Sequence, residues 1–588
     1  MYFRPFVMVI WHSCFFFMEL ICSVSSLPPT IVRHRPMGIG LLNEHRRSHL
    51  RRTARDVHSK DSTGKYYSDI LGRQEPNLPE KQISDRLKYA EGIQEVLAKP
   101  MHVGTSLKFR PTAYDLFQAG IVGIFTGFSV ALFKLSINAV KSLCYRQIFF
   151  QTNPVLMVTV PAMGGAAVGV LMLLGDFPPG LRGTVIEVDK ESQGTVQKLR
   201  DRVQTQFRFL RKSAAATVTL GTGCSLGPEG PCVEIGMDVA RSCMDISRRT
   251  AERQRLWNRM LLSCGAAAGV SAGFNAPIAG TFFALEIMHR MFSSIDGEEN
   301  ADKDASAGLS SLNTATIAPV LIASVMSALC ARTLLGDHLV LALGGSYSLK
   351  KPLIELPLYM VLGLVSGTVS FAFSRAANLS QAVFVGDYGS DRFRMGVRSL
   401  SPAFKPVIGG ILCGLVGIKF PQILFFGYDC LNPLLANNSL PTPLLLSLLA
   451  AKISITAISA GSGLVGGTFA PSLFLGAVTG AAFHNIVSSI LYCGLGLSAA
   501  SGPLLADVPA YAMVGAGSVL AALFRAPLTA CLLLFEVTRD YDVILPLMAS
   551  AGFGSVFADV LDGKFSRAQK RRRLRRDKDA VSWGDLSS

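Results

Sequence analysis

GAAAGVSAGFNAPIAGTFFALE (265–286) returns 250 residues later as GAGSVLAALFRAPLTACLLLFE (515–536). Gly265/Gly515, Ala266/Ala516, Phe274/Phe524, Ala276/Ala526, Pro277/Pro527 and Glu286/Glu536 are identical, and most other positions stay apolar. A second pair stands at an offset of 240, GPEGP (227–231) over GTFAP (467–471), sharing the outer glycine and proline. Two markers in the same order at nearly the same offset are an internal duplication, not a product of composition. The chain reads as one domain written twice, with a first half at 96–335 and a second at 336–565.

The duplicated unit is built for lipid. Of 588 residues 49% are hydrophobic and only 17% charged, where a soluble chain carries about 25% charge. Apolar runs near the ~20 residues that span a bilayer lie at 113–135, 155–175, 314–331, 357–373, 406–418, 444–460, 472–492 and 509–535. These runs lack the polar stripe of helical period that a soluble core helix would show. The expected fold is an all-α polytopic membrane protein.

The formal charge of +16 does not point to nucleic acid. Much of it lies in KFSRAQKRRRLRRDK (564–578), in the Arg-rich region 33–55, and at Arg241, Arg248, Arg249, Arg253, Arg255 and Arg259. Basic segments beside spans mark the cytoplasmic or equivalent side and attract lipid headgroups; residues 566–588 read as a basic tail there. Twelve cysteines without a CxxC pair, and nine histidines without ligand spacing, predict no disulfide frame, no metal and no cofactor. His484 reads as a packed residue on a span. NLS (378–380) and NNS (437–439) match a glycosylation pattern that is too short to carry weight. Residues 1–95 combine an apolar leader with an Arg- and Ser-rich stretch, and read as a targeting or disordered extension. Such a tandem suits a plastid (thylakoid or envelope) or another organellar membrane.

Duplicated membrane domains are a common frame of transporters, and Gly/Pro interruptions at matching positions of the halves point to the binding site. GPEGP and GGTFAP are such interruptions, each followed by an apolar helical run. Both predict helix starts inside the membrane, whose unpaired N–H groups and positive dipole ends attract anions. Backbone donors of this kind hold an anion without a full charge, which lets it leave again. Glu229 is then an acid placed where a permeating anion would sit. Two roles are open to it, a gate that vacates the site on protonation or a fixed helix cap. Glu286 and Glu536, at equivalent helix ends, read as structural.

On these motifs the chain resembles the CLC family of voltage-gated chloride channels and chloride/proton exchangers, over roughly residues 110–565. GPEGP resembles the family's G-(K/R)-E-G-P signature and GGTFAP (466–471) its G-x-F-x-P signature; AGFNAPIAGTFFALE and FRAPLTACLLLFE are also similar. The resemblance implies an inverted-repeat helical bundle with broken helices meeting at mid-membrane, in a homodimer with a pore in each subunit. It implies Glu229 as the gating residue. It implies an anion site formed around Gly227, Pro228, Gly230, Gly467, Thr468 and Phe469, with the central anion on the N–H groups of Thr468, Phe469 and the Gly230 region.

Three positions depart from the family pattern. GLRGT (180–184) aligns with the serine-bearing G-S-G-I-P motif, which puts Gly180 and Leu181 in the filter and no hydroxyl there. That departure leaves open which small monovalent anion passes, chloride, nitrate or another. Ile287 stands where exchangers carry an inner, proton-coupling glutamate. Phe565 or Ser566 stands where members place a pore tyrosine, because no tyrosine follows Tyr541. The chain is also too short after the last span for the paired regulatory domains of many eukaryotic members, and it resembles plant-type organellar members with unusual filter motifs.

The expected function is channel-like or weakly proton-coupled anion transport. An obligate anion/proton antiporter is the alternative. An enzyme is disfavoured, since AGSGL (460–464) resembles a serine-protease motif without a clear partner, and small residues there serve helix packing. A transport-dead structural protein is the remaining reading.

Overall fold

Thr112 sets the start of the first helix. Its hydroxyl accepts from the Asp115 N–H at 3.3 Å while Asp115 Oδ2 accepts from the Thr112 N–H at 2.9 Å, so two orphan donors are satisfied reciprocally. The computed structural model describes residues 112–145, 154–178, 180–193, 199–244, 251–296, 314–336, 352–437, 440–491 and 505–584. All of these fall in one unit, Phe109–Ser588. The targeting or disordered extension expected at 1–95 lies outside the described residues.

The first repeat comprises α1 (Ala113–Cys144), α2 (Pro154–Leu173), α3 (Leu181–Gln193), α4 (Leu199–Gly221) and α5 (Glu229–Ser242). It continues with α6 (Ala251–Phe274), α7 (Pro277–Phe283), a π-helical turn at Ala284–Met288, α8 (His289–Asp296) and α9 (Thr314–Leu335). The second comprises α10 (Pro352–Val385), α11 (Asp391–Ser399), α12 (Lys405–Lys419), α13 (Tyr428–Leu435) and α14 (Thr442–Gly461). It ends with α15 (Phe469–Ser489), α16 (Val508–Phe524), α17 (Pro527–Thr538) and α18 (Ile544–Gly584). Among the described residues, eight helices are long and apolar enough to cross a membrane. The chain is an all-α, multi-pass membrane protein.

Each repeat packs through glycine. A side-chain carbon on Gly236 of α5 would collide with the Gly265 carbonyl of α6, and one on Gly476 of α15 with the Gly515 carbonyl of α16. Bare backbone at these points lets the helices touch, which is how helices associate where lipid supplies no hydrophobic drive. The two repeats meet in the same way, with Gly165 of α2 against Pro406 of α12 and Gly410 of α12 against Pro161 of α2.

The apolar run 509–535 is not one span. It breaks at Arg525, which takes a left-handed φ of 54°, as Asn275 does at 60° in the first repeat. The prolines that follow, Pro277 and Pro527, have no N–H to continue a helix and instead begin α7 and α17. Each new helix start is capped by the other repeat. Glu536 accepts from the N–H groups of Ile278 and Ala279 at 2.9 and 2.7 Å. Glu286 accepts from the Thr529 N–H and hydroxyl at 2.9 and 2.7 Å, and from the Leu528 N–H at 3.4 Å. The structural roles expected of the two acids are these crossed caps.

Other expectations change in detail. The helix α18 runs from Ile544 to Gly584, across the 565/566 boundary. Part of the basic loop faces acids of α3: Arg241 pairs with Glu187 at 3.2 Å, and Arg259 and Arg255 pair with Asp189 at 2.5 and 3.4 Å. Burial alone would raise the Asp189 carboxyl, but Arg259 and Arg255 outweigh it and hold it below the usual range. In AGSGL, Gly461 abuts Ser380 and Ser462 abuts Gly409, which is helix packing. His484 packs on the Tyr511 ring at 5.2 Å. Asn378 of the NLS pattern lies within α10, inside a candidate span, while Asn438 and Ser439 of NNS lie outside the described residues.

Candidate functional site

The two signature loops meet as a pair. The Gly227 N–H donates to the Gly467 carbonyl at 2.8 Å, and the Gly467 N–H returns the bond to Gly227 at 2.7 Å. No side chain fits between them: a carbon on Gly230 would stand 2.8 Å from Gly467 Cα, and one on Gly467 would stand 2.6 Å from Gly230 N. The glycines shared by the repeats are therefore demanded by close approach.

From this seam α5 and α15 depart, starting at Glu229 and Phe469. Neither Pro228 nor Thr468 caps its helix with a side chain. Pro231 and Pro471 fall at the third helical position, within the turn whose N–H groups have no helical acceptor. First-turn amides and two positive helix ends thus converge on one buried place. Glu229 occupies it, at 2% exposure. Its Oε2 accepts from the Ala470 N–H of the opposite repeat at 3.4 Å, and its Oε1 accepts from the Tyr428 hydroxyl at 2.8 Å.

The rim is aromatic. The Phe469 ring stacks on Phe524 at 4.0 Å and tilts against Phe274 and Phe283 at 5.9 and 6.0 Å. Phe274 and Phe524 are the matched residues of the duplicated segment, one from each repeat. Lys134 of α1 lies within electrostatic reach of Glu229. Its Nζ donates to the Ala272 and Gly273 carbonyls at the end of α6.

Not every expected residue joins this cluster. Glu229, Gly227, Pro228, Gly230, Gly467, Thr468 and Phe469 come together. Gly180 is exposed just before α3 and Leu181 is half-buried at its start, and neither bonds Glu229. Phe565 also stands apart from the cluster. It is 45% exposed, under Arg375 at 3.9 Å and edge-on to Phe371 at 6.1 Å. An unbroken α18 has no turn to aim it inward. Ile287 is half-buried in the π-helical turn beside Glu286, whose oxygens are committed to α17.

Two residues escaped sequence reasoning. Tyr428 opens α13 directly after Gly427, which has a left-handed φ of 91°. Lys452 is fully buried in α14, with Nζ donating to the Ile423 and Phe425 carbonyls at 2.8 and 3.2 Å. A lysine in the middle of an apolar run was the available signal for the second.

Comparison with known proteins follows the same lines. The family model described as voltage gated chloride channel matches residues 177–559. The chain is 34% identical over 460 residues to chloride channel protein CLC-e of Arabidopsis thaliana, covering 74% of this chain and 59% of the relative. It is 35% identical over 431 residues to CLC-f of the same plant, covering 72% and 50%. It is 30% identical over 454 residues to the H(+)/Cl(-) exchange transporter ClcA of Salmonella agona, covering 76% and 86%. The chain thus spans between half and three-fifths of the two plant relatives. The fold is that of a slow cyanobacterial Cl-/H+ antiporter, at a TM-score of 0.59 and 24% identity, covering 79% of this chain and 98% of that one.

Proposed function

Because the chain belongs to the voltage-gated chloride channel family, we propose that it moves chloride or another small monovalent anion, nitrate included, across the membrane through a pore gated by Glu229. One observation carries this reading. A buried carboxylate stands where the amide ends of α5 and α15 meet, and accepts from Ala470 across the repeat boundary. A permeating anion seeks the same N–H groups, so carboxylate and anion compete for one place. Protonated or swung aside, Glu229 gives that place up.

In this reading the N–H groups around Gly230, Thr468 and Phe469 bind the anion, with Gly227, Pro228 and Gly467 shaping the seam. Gly180 and Leu181 line the path at the start of α3, while Phe565 is left out. Lipid surrounds the apolar faces, and two subunits associate, each with its own pore.

Transport is channel-like or weakly coupled. Ile287 cannot carry a proton across the low-dielectric interior, and Glu286 is engaged as a cap. Obligate anion/proton antiport is the second reading, favoured by the similarity to the H(+)/Cl(-) exchange transporter ClcA.

The test uses the full chain in liposomes, with chloride and pH recorded together under an imposed chloride gradient. Chloride efflux with little uphill proton movement is expected. Proton movement at a fixed stoichiometry would establish the antiporter, and no anion flux would refute both readings.

A further inference from the structure

We propose that Tyr428 is the latch that holds Glu229 across the anion path, presented to it by a turn that Lys452 fixes. The proposal rests on the gating role given to Glu229 above. Tyr428 lies 199 residues from Glu229 in the chain, yet its hydroxyl donates to Oε1 at 2.8 Å, shorter than the 3.4 Å bond from the Ala470 N–H.

The turn before Tyr428 is built for that reach. Phe425 and Gly427 both take left-handed conformations, at φ 57° and 91°; glycine does so freely, but at Phe425 the strain persists only where the surroundings impose it. Here they do. The Phe425 N–H donates to the Gly223 carbonyl at 3.1 Å, on the loop leading to Glu229. Lys452 draws in the Ile423 and Phe425 carbonyls, with its Nζ 5.2 Å from the Phe474 ring centre. Phe474 in turn closes on Gly427, where a side-chain carbon would stand 2.6 Å from the ring.

The repeats show why this lysine is free to do so. At the 240-residue offset Lys452 matches Lys212 and Phe474 matches Glu234. In the first repeat Lys212 pairs with Glu234 at 2.9 Å. In the second the acid is a phenylalanine, and the lysine turns its donors on the carbonyls of the Tyr428 turn. The latch therefore belongs to one repeat only.

A donor binds an ionised carboxylate about twice as strongly as a neutral acceptor. The hydroxyl holds the charged, blocking form of Glu229 and loosens its hold on protonation. The other groups facing Glu229 are Lys134 from α1, Cys232 on α5 itself and the Ala470 N–H from α15. All three are unchanged when the tyrosine is altered.

The experiment is the pH profile of chloride efflux from proteoliposomes for wild type, Tyr428→Phe, Glu229→Gln and the double variant. Tyr428→Phe removes only the hydroxyl, and should raise flux at neutral pH and move the half-activation point up by about one pH unit, a tenfold change in proton activity. Incorporation of 3-fluorotyrosine at 428, a stronger donor, should move it down, and this arm stands even if the phenylalanine variant fails to fold. On the Glu229→Gln background the phenylalanine should change little. Wild-type flux with an unshifted midpoint in either substituted protein, or the same shift on both backgrounds, would overturn the latch alone. Absence of anion flux in every variant would remove the gating reading and the latch with it.

Discussion

Glu229→Gln takes away one charge and keeps the shape of the side chain. The carboxylate accepts from the Tyr428 hydroxyl at 2.8 Å, more loosely from Ala470 at 3.4 Å, and stands at the first position of α5. A hydrogen bond to a charged group is worth about 1.5–3 kcal/mol against about 1 kcal/mol for a neutral pair. The exchange therefore costs the blocking position about 1 kcal/mol at the short contact and less at the long one. Loss of charge at the helix ends removes about another 1 kcal/mol in a buried setting. In total the blocked state weakens by about 2–3 kcal/mol, or about 30- to 150-fold in the ratio of blocked to open pores. The assay is chloride efflux from liposomes at a series of pH values, on protein shown monodisperse by size exclusion. Flux at neutral pH should rise toward the acid plateau and the pH dependence should flatten. A well-folded variant that keeps the wild-type pH profile would refute the assignment of Glu229 as the gate, and a variant that merely fails to fold would favour the fixed cap.

Three further outcomes are expected. Glu536→Ala leaves the Ile278 and Ala279 N–H groups without their acceptor, at a cost of about 2–4 kcal/mol. The apparent melting temperature in detergent should fall, with Glu536→Gln losing about half as much; an unchanged value would deny the crossed cap any part in stability. Ile287→Glu should increase the proton movement driven by a chloride gradient, and no increase in folded protein would place the proton route elsewhere. Leu181→Ser should move the chloride/nitrate reversal potential by the equivalent of about 1 kcal/mol, one net hydrogen bond, and a fixed potential would put the start of α3 outside the filter.

The sequence carried most of the frame because duplication is written in identities. Matching Gly227 to Gly467 by motif alone pointed to two backbones that do pair in the structure. The same matching marked Asn275 and Arg525 as equivalent, and they prove to be the breaks. The run 509–535 misled because hydropathy measures burial in lipid and is blind to a single left-handed residue. Phe565, matched to the family's pore tyrosine near the end of the last membrane helix, lies apart from the cluster because α18 continues unbroken past it. Tyr428 was silent because its partner is 199 residues away, and only the three-dimensional turn of Phe425 and Gly427 brings it to Glu229. Lys452 was readable as an odd cation in a span, but its work is done through carbonyls, which leave no mark in an amino-acid sequence.

The exchange of Glu286 and Glu536 between repeats bears on how the chain is made. The acid that completes α7 lies 257 and 258 residues beyond the amides it serves. At the usual pace of synthesis, about 5–20 residues per second, the ribosome needs about 13–50 seconds to supply it. Through that interval the first half waits in the bilayer with bare amides at the head of α7. The second half in turn matures only by finding a first half that has not been degraded or mispaired. Biogenesis is thus a rendezvous of two nascent halves, so two halves translated as separate polypeptides meet the same requirement as the intact chain, and a truncation between them leaves the amides at the head of α7 without their acid.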